Sequence, residues 1–118
     1  MRSTTRVRVV EWLFSYGTLQ LAHVQRALFG RTLEGHADTL NGYRVTTLAV
    51  RDAAAVAESG VETHLALVPD TDARPIDGML YALTADEIAA ADRYEGSDYR
   101  RVAVTFASGA DGWVYIAA

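Results

Sequence analysis

Leu13-Phe14-Ser15-Tyr16-Gly17-Thr18-Leu19 is the stretch on which the fold turns. Up to Gly17 the side chains alternate. Val10, Trp12, Phe14 and Tyr16 share one side; Val9, Glu11, Leu13 and Ser15 share the other. A period of two is that of a β-strand, and the aromatic side is expected to be the buried one. Gly17-Thr18 ends the strand. Beyond it Leu21, Val24, Ala27 and Leu28 recur at helical spacing, and Gly30 stops the run.

Outward from this opening, residues 32–37 and 43–50 read as strands joined through Asn41-Gly42, a strong turn signal. Residues 51–62 are Ala-rich but broken by Gly60, and read as loop or one short helix. Residues 63–68 read as a strand and 69–75 as a loop. Residues 77–83 form the next strand, with Met79, Tyr81 and Leu83 on one face. Thr84 and Glu87 then make a capping box, and Leu83 and Ile88 are placed as its hydrophobic staple. The helix runs to about Tyr94, and Gly96 is a natural stop. Residues 101–107 alternate again, with Val102, Val104 and Phe106 on one side. Residues 108–112 read as a hairpin loop and 113–117 as the last strand.

Strands and helices do not alternate regularly, which excludes a doubly wound parallel sheet. The expected fold is α+β: a small mixed, mainly antiparallel β-barrel with two helices. Residues 9–118 are expected to form one domain behind a flexible N-terminal tail, residues 1–8.

Composition narrows the function. The chain has 118 residues, half of them hydrophobic, enough to bury a core. Its net charge is −4, its eleven basic residues are all Arg, and no basic run occurs, so nucleic acid is not an expected partner. Without Lys there is no Schiff-base chemistry. The absence of Cys excludes disulfides, thiolate nucleophiles and cysteine zinc sites, and agrees with a reducing compartment. The run Ala53-Ala54-Ala55-Val56-Ala57 is too short to span a bilayer. The early arginines resemble a signal n-region, but Glu11 interrupts the apolar stretch that follows, so a cytoplasmic protein is expected. His23, His36 and His64 never form a ligand-like pair. Asp70, Asp72 and Asp77 lack a calcium loop's glycine, since Pro75 stands there. Dinucleotide, Walker and G-x-S-x-G signatures are also missing. No metal and no cofactor are expected.

Two places can carry chemistry. At Tyr16-Gly17-Thr18-Leu19, a glycine after a buried strand lets a ligand approach the backbone. The free N–H groups of a helix starting near Leu19 suit a carboxylate or an oxyanion. The plainer reading is an ordinary strand-to-helix turn. At Asp92-Arg93-Tyr94-Glu95-Gly96, Glu95 falls at a helix C-terminus. The helix dipole and partial burial both raise a carboxyl pKa there, which suits general acid–base work near neutrality. Arg93, Arg100 and Arg101 would oppose that rise if they came close, and the plainer reading is a solvated helix-end charge. Asp92 lies one turn before Glu95 and can cap the helix or pair with an Arg.

Taken together, these segments resemble the gamma-glutamyl cyclotransferase-like family, in particular its short bacterial members and the gamma-glutamylamine cyclotransferases. The resemblance rests on Leu13 to Leu19 with its YGTL loop, on Asp77-Gly78-Met79-Leu80-Tyr81-Ala82-Leu83, and on Ala91 to Gly96 followed by Tyr99-Arg100-Arg101-Val102. It departs from the family pattern at Ala91, where Leu is usual, and at Gln20, where Arg or Lys often follows YGTL.

The resemblance implies a catalytic Glu95 and a substrate-binding loop of Tyr16, Gly17, Thr18 and Leu19. It implies release of 5-oxoproline and a free amine from a small gamma-glutamyl substrate, without cofactor, metal, nucleic acid or membrane, by a monomer or homodimer. The alternative is a non-catalytic binding module that holds an amino-acid-like ligand on the same fold. Glu95 favours the enzyme, since a pure binder has no evident need for a carboxylate at that helix end.

Overall fold

Alternation in the opening stretch produces β1 (Glu11–Ser15), followed by a 3-10 turn (Thr18–Gln20) and α1 (Ala22–Phe29). The computed structural model describes residues 10–49 and 63–118, and the expectation for 51–62 lies outside them, as does the tail at 1–8. Next come β2 (Gly35–Leu40), β3 (Tyr43–Ala49), β4 (Thr63–Pro69) and β5 (Ile76–Leu83). After α2 (Ala85–Glu95) and a second 3-10 turn (Gly96–Asp98), β6 (Tyr99–Thr105) and β7 (Asp111–Ala117) complete the chain.

The strands form a five-stranded sheet in the order β2-β5-β1-β7-β6, and a separate two-stranded ribbon, β3-β4. Pairing is antiparallel except between β1 and β7, where Leu13 stands opposite Trp113. The sheet is mixed and mainly antiparallel, with two α-helices among the described residues, as expected. Among the described residues the strands do not close into the expected barrel. Among the described residues the ribbon makes no ladder with the sheet; β4 lies beside β7. A side-chain bond ties the two together, the Tyr99 hydroxyl donating to the Leu65 carbonyl at 2.9 Å.

The Asn41-Gly42 turn forms, with Gly42 at φ +88°, a conformation that glycine adopts without a Cβ penalty. It does not close a hairpin. β2 pairs with β5 while β3 pairs with β4, so the turn is a corner between two sheets.

β1 is a central strand, and both of its faces are covered. Phe14 packs with Leu40, Leu67, Leu80 and Val114 on one side. Leu13 packs with Tyr81, Ile88, Ala91 and Tyr94 on the other, under the helices. The expectation of one buried aromatic face was therefore incomplete: Leu13 is as inaccessible as Phe14, because a helix layer covers the second face. Gly78 shows how closely the central strands sit. A Cβ there would lie 2.5 Å from the Ser15 carbonyl oxygen of β1.

α2 starts as the sequence dictates. The Thr84 hydroxyl accepts from the Glu87 N–H at 3.2 Å, and the Glu87 carboxylate accepts from the Thr84 N–H at 2.9 Å. Leu83 and Ile88 join one core cluster. Arg31, just after α1, grips the same Glu87 with two contacts of 2.8 Å, which ties the two helices together. Gly96 ends α2 at φ +70°.

Candidate active site

β1 ends at Ser15, and the chain must then leave the sheet to begin α1. Its own side chains brace this bend. The Gln20 amide donates to the Ser15 carbonyl at 2.7 Å, and the Ser15 hydroxyl accepts from the Gly17 N–H at 3.3 Å. Buried Gln25 of α1 donates to the Leu19 carbonyl at 2.7 Å and accepts from the Leu33 N–H at 2.8 Å. Gln20 therefore serves the loop's internal structure. The N–H groups of Thr18 and Leu19 open the 3-10 turn, where a helix has no preceding carbonyl to offer them. Gly17 has φ −140° and ψ −137°, and a Cβ there would meet nothing within 4 Å.

At the other end of the site, α2 stops at Glu95. Tyr94 is buried, and its hydroxyl lies 3.1 Å from that of Thr18, which joins the helix end to the loop. Tyr16, Gly17, Thr18, Leu19 and Glu95 line one cavity of about 240 Å³. Pockets for drug-sized ligands span roughly 300–1,000 Å³, so this one suits a compact ligand. Ser15, Leu65, Tyr99 and Tyr115 also contribute to its wall.

Burial pushes the Glu95 carboxyl up to about 8, while the residue keeps the partial solvent contact of a cavity-lining group. The arginines do not offset this rise. Arg101 is engaged by Asp92, with Nε to Oδ1 at 2.8 Å and Nη2 to Oδ2 at 3.1 Å. Of the two expected roles for Asp92, pairing with an Arg is the one that holds. Burial opposes the Asp92 charge, but bonds from Arg101 and Tyr115 outweigh it and hold its carboxyl below the usual range. Three tyrosines surround Glu95. Burial raises the pKa of Tyr16, Tyr99 and Tyr115, and the Glu95 charge adds to each rise, so all three stay protonated.

Sequence reading did not single out Tyr99, Tyr115 or Leu65 as cavity residues. A signal existed for Tyr115. Strand alternation puts it with Trp113 and Ala117 on one face of β7, and that face belongs to the cluster under the helices. Leu65 carried no such signal, because it reaches the cavity from the separate ribbon. Among the described residues, no group of three or more His, Cys, Asp or Glu is placed to hold a metal. No described helix is long and apolar enough to cross a membrane.

Fold and cavity define a small α+β protein with a pocket built around one carboxylate. The family profile described as gamma-glutamyl cyclotransferase, AIG2-like, matches residues 13–118, and the chain belongs to this family.

Solved structures share the fold. The solution structure of At5g39720.1 from Arabidopsis thaliana superposes with a TM-score of 0.71 at 22% identity, covering 98% of this chain and 73% of that one. At3g28950.1, also from Arabidopsis thaliana, gives 0.67 at 19% identity, covering 98% and 66%. A structure named gamma-glutamyl cyclotransferase gives 0.72 at 10% identity, covering 93% and 68%. Among curated proteins none matches the sequence.

Proposed function

We propose that the protein is a gamma-glutamyl cyclotransferase that releases 5-oxoproline and a free amine from a small gamma-glutamyl amine or peptide, with Glu95 as its acid–base group. The observation that carries this reading is the meeting of Glu95, its carboxyl pushed up to about 8, with the 16–19 loop in one cavity.

A gamma-glutamyl amide carries its own nucleophile. The α-amine attacks the side-chain carbonyl, a new C–N bond closes the ring, and the old amide C–N bond breaks. The two hydrogens that leave the α-ammonium nitrogen depart with the released amine. The protein's main task is to fold the substrate into the ring-closing shape. Glu95 takes a proton from the ammonium and returns it to the leaving nitrogen. A pKa near the operating pH lets one carboxyl serve both transfers. The Thr18 and Leu19 N–H groups are suited to hold the substrate carboxylate or the developing oxyanion. The ring-closing step needs no cofactor.

The test is a panel of gamma-glutamyl amines scored for 5-oxoproline. Turnover of one or more supports the reading. Binding without product across the panel would instead support a binding module on this fold.

A further inference from the structure

Tyr115 and Tyr99 both line the cavity beside Glu95, and both have already committed their one hydroxyl proton. The Tyr115 hydroxyl donates to Asp92 Oδ1 at 2.7 Å, and the Tyr99 hydroxyl donates to the Leu65 carbonyl at 2.9 Å. Neither acceptor can donate in return: a backbone carbonyl has no proton, and Asp92 is ionised against Arg101. A phenol that has spent its O–H has only oxygen lone pairs left to offer. We propose that Asp92 is a positioning residue that locks Tyr115 as an acceptor, so that Tyr115 and Tyr99 present only acceptor oxygens beside Glu95 and form a seat for a ligand's ammonium group.

The remaining contacts of Asp92 fit this role. Arg101 clamps both carboxylate oxygens and is itself stacked on Trp113, with its guanidinium carbon 4.1 Å from the ring centre. The Trp113 indole N–H donates to Glu11 at 3.2 Å. Asp92 is thus fixed in place, and with it the direction of the Tyr115 O–H. A donor turned into the cavity would repel an ammonium; an acceptor there attracts one.

This inference deepens the proposed function by naming the group the cavity recognises, and its test does not depend on turnover. L-methionine sulfoxide has an α-ammonium, an α-carboxylate and a side chain of glutamine's length, with no acyl carbon to attack. Its des-amino analogue, 4-(methylsulfinyl)butanoate, has hydrogen in place of the ammonium and is otherwise the same. Affinities for the two are measured by NMR titration on the full chain. The parent is expected to prefer the free amine by about ten-fold or more. Tyr115→Phe removes the acceptor, and Asp92→Ala frees the phenol proton to turn inward, so each should bring the preference near parity. Asp92→Asn keeps an acceptor oxygen for Tyr115 and should retain most of it. A merely structural defect would weaken both ligands alike and leave their ratio unchanged. If Asp92→Ala does not fold, the parent and Tyr115→Phe decide. No preference in the parent, or full preference in Tyr115→Phe, overturns the proposal. A missing 5-oxoproline signal would count against the activity and not against this seat.

Discussion

The hydroxyls of Thr18 and Tyr94 lie 3.1 Å apart, across 76 positions of sequence. The bond fastens the loop after β1 to the residue next to Glu95, and so holds the two halves of the cavity in register. Tyr94→Phe removes it while keeping the ring in the core. We expect a stability loss of about 0.5–1.5 kcal/mol in urea unfolding. Turnover should fall as well, because a small misplacement of the reacting groups is costly. Unchanged turnover would mean that this bond does not set the register.

Glu95→Gln keeps the shape of the side chain but cannot exchange a proton near neutral pH. Loss of 5-oxoproline release by about 10²–10⁴-fold or more is expected, with the fold retained. A variant within a few-fold of the parent would remove Glu95 from the mechanism and make Asp92 the next carboxylate to test.

The raised pKa of Glu95 also has a stability consequence of definite sign. The folded chain holds a proton on this group between 4.5 and about 8 that the unfolded chain has released. Its contribution is therefore fully favourable below 4.5 and declines as pH rises to about 8. Urea midpoints of the parent and Glu95→Gln, compared across that window, should converge on the acid side and diverge in favour of Gln on the alkaline side. Parallel curves would show that the carboxyl is not shifted. In kinetics, kcat/KM should rise with pH towards about 8 as the base form is populated.

Two glycines separate ligand space from packing space. At Gly17 a Cβ would meet no protein atom within 4 Å, so Gly17→Val should leave the core packing intact and lose ligand binding by filling the loop's approach. At Gly78 a Cβ would meet the Ser15 carbonyl at 2.5 Å and the Phe14 ring at 2.6 Å. Gly78→Ala should push β5 from β1 and cost about 1–3 kcal/mol. Tight binding by a well-folded Gly17→Val protein would exclude the loop as the ligand site.

Ring closure by an internal amine calls for proton transfer alone, so activity should survive dialysis against a strong chelator. Loss that zinc or magnesium restores would overturn the mechanism.

Sequence alone decided what depends on neighbours along the chain. The capping box at Thr84 and Glu87, the stops at Gly30 and Gly96 and the faces of β5 all follow from spacings of a few residues, and all are present. The order of elements excluded a doubly wound sheet, and the mixed sheet agrees.

Tertiary structure decided what depends on which surfaces meet. Asn41-Gly42 has the same local chemistry in a hairpin and in a corner between sheets; partner strands distant in sequence chose the corner. Glu95 reads locally as any helix-end carboxylate. Its shift comes from the cavity wall closing around it, because desolvation acts through every nearby atom whatever its place in the chain. The same holds for the bond from Tyr115 to Asp92, which joins β7 to α2. No local pattern records which way a phenol proton points; that is decided by the acceptor that folding brings beside it.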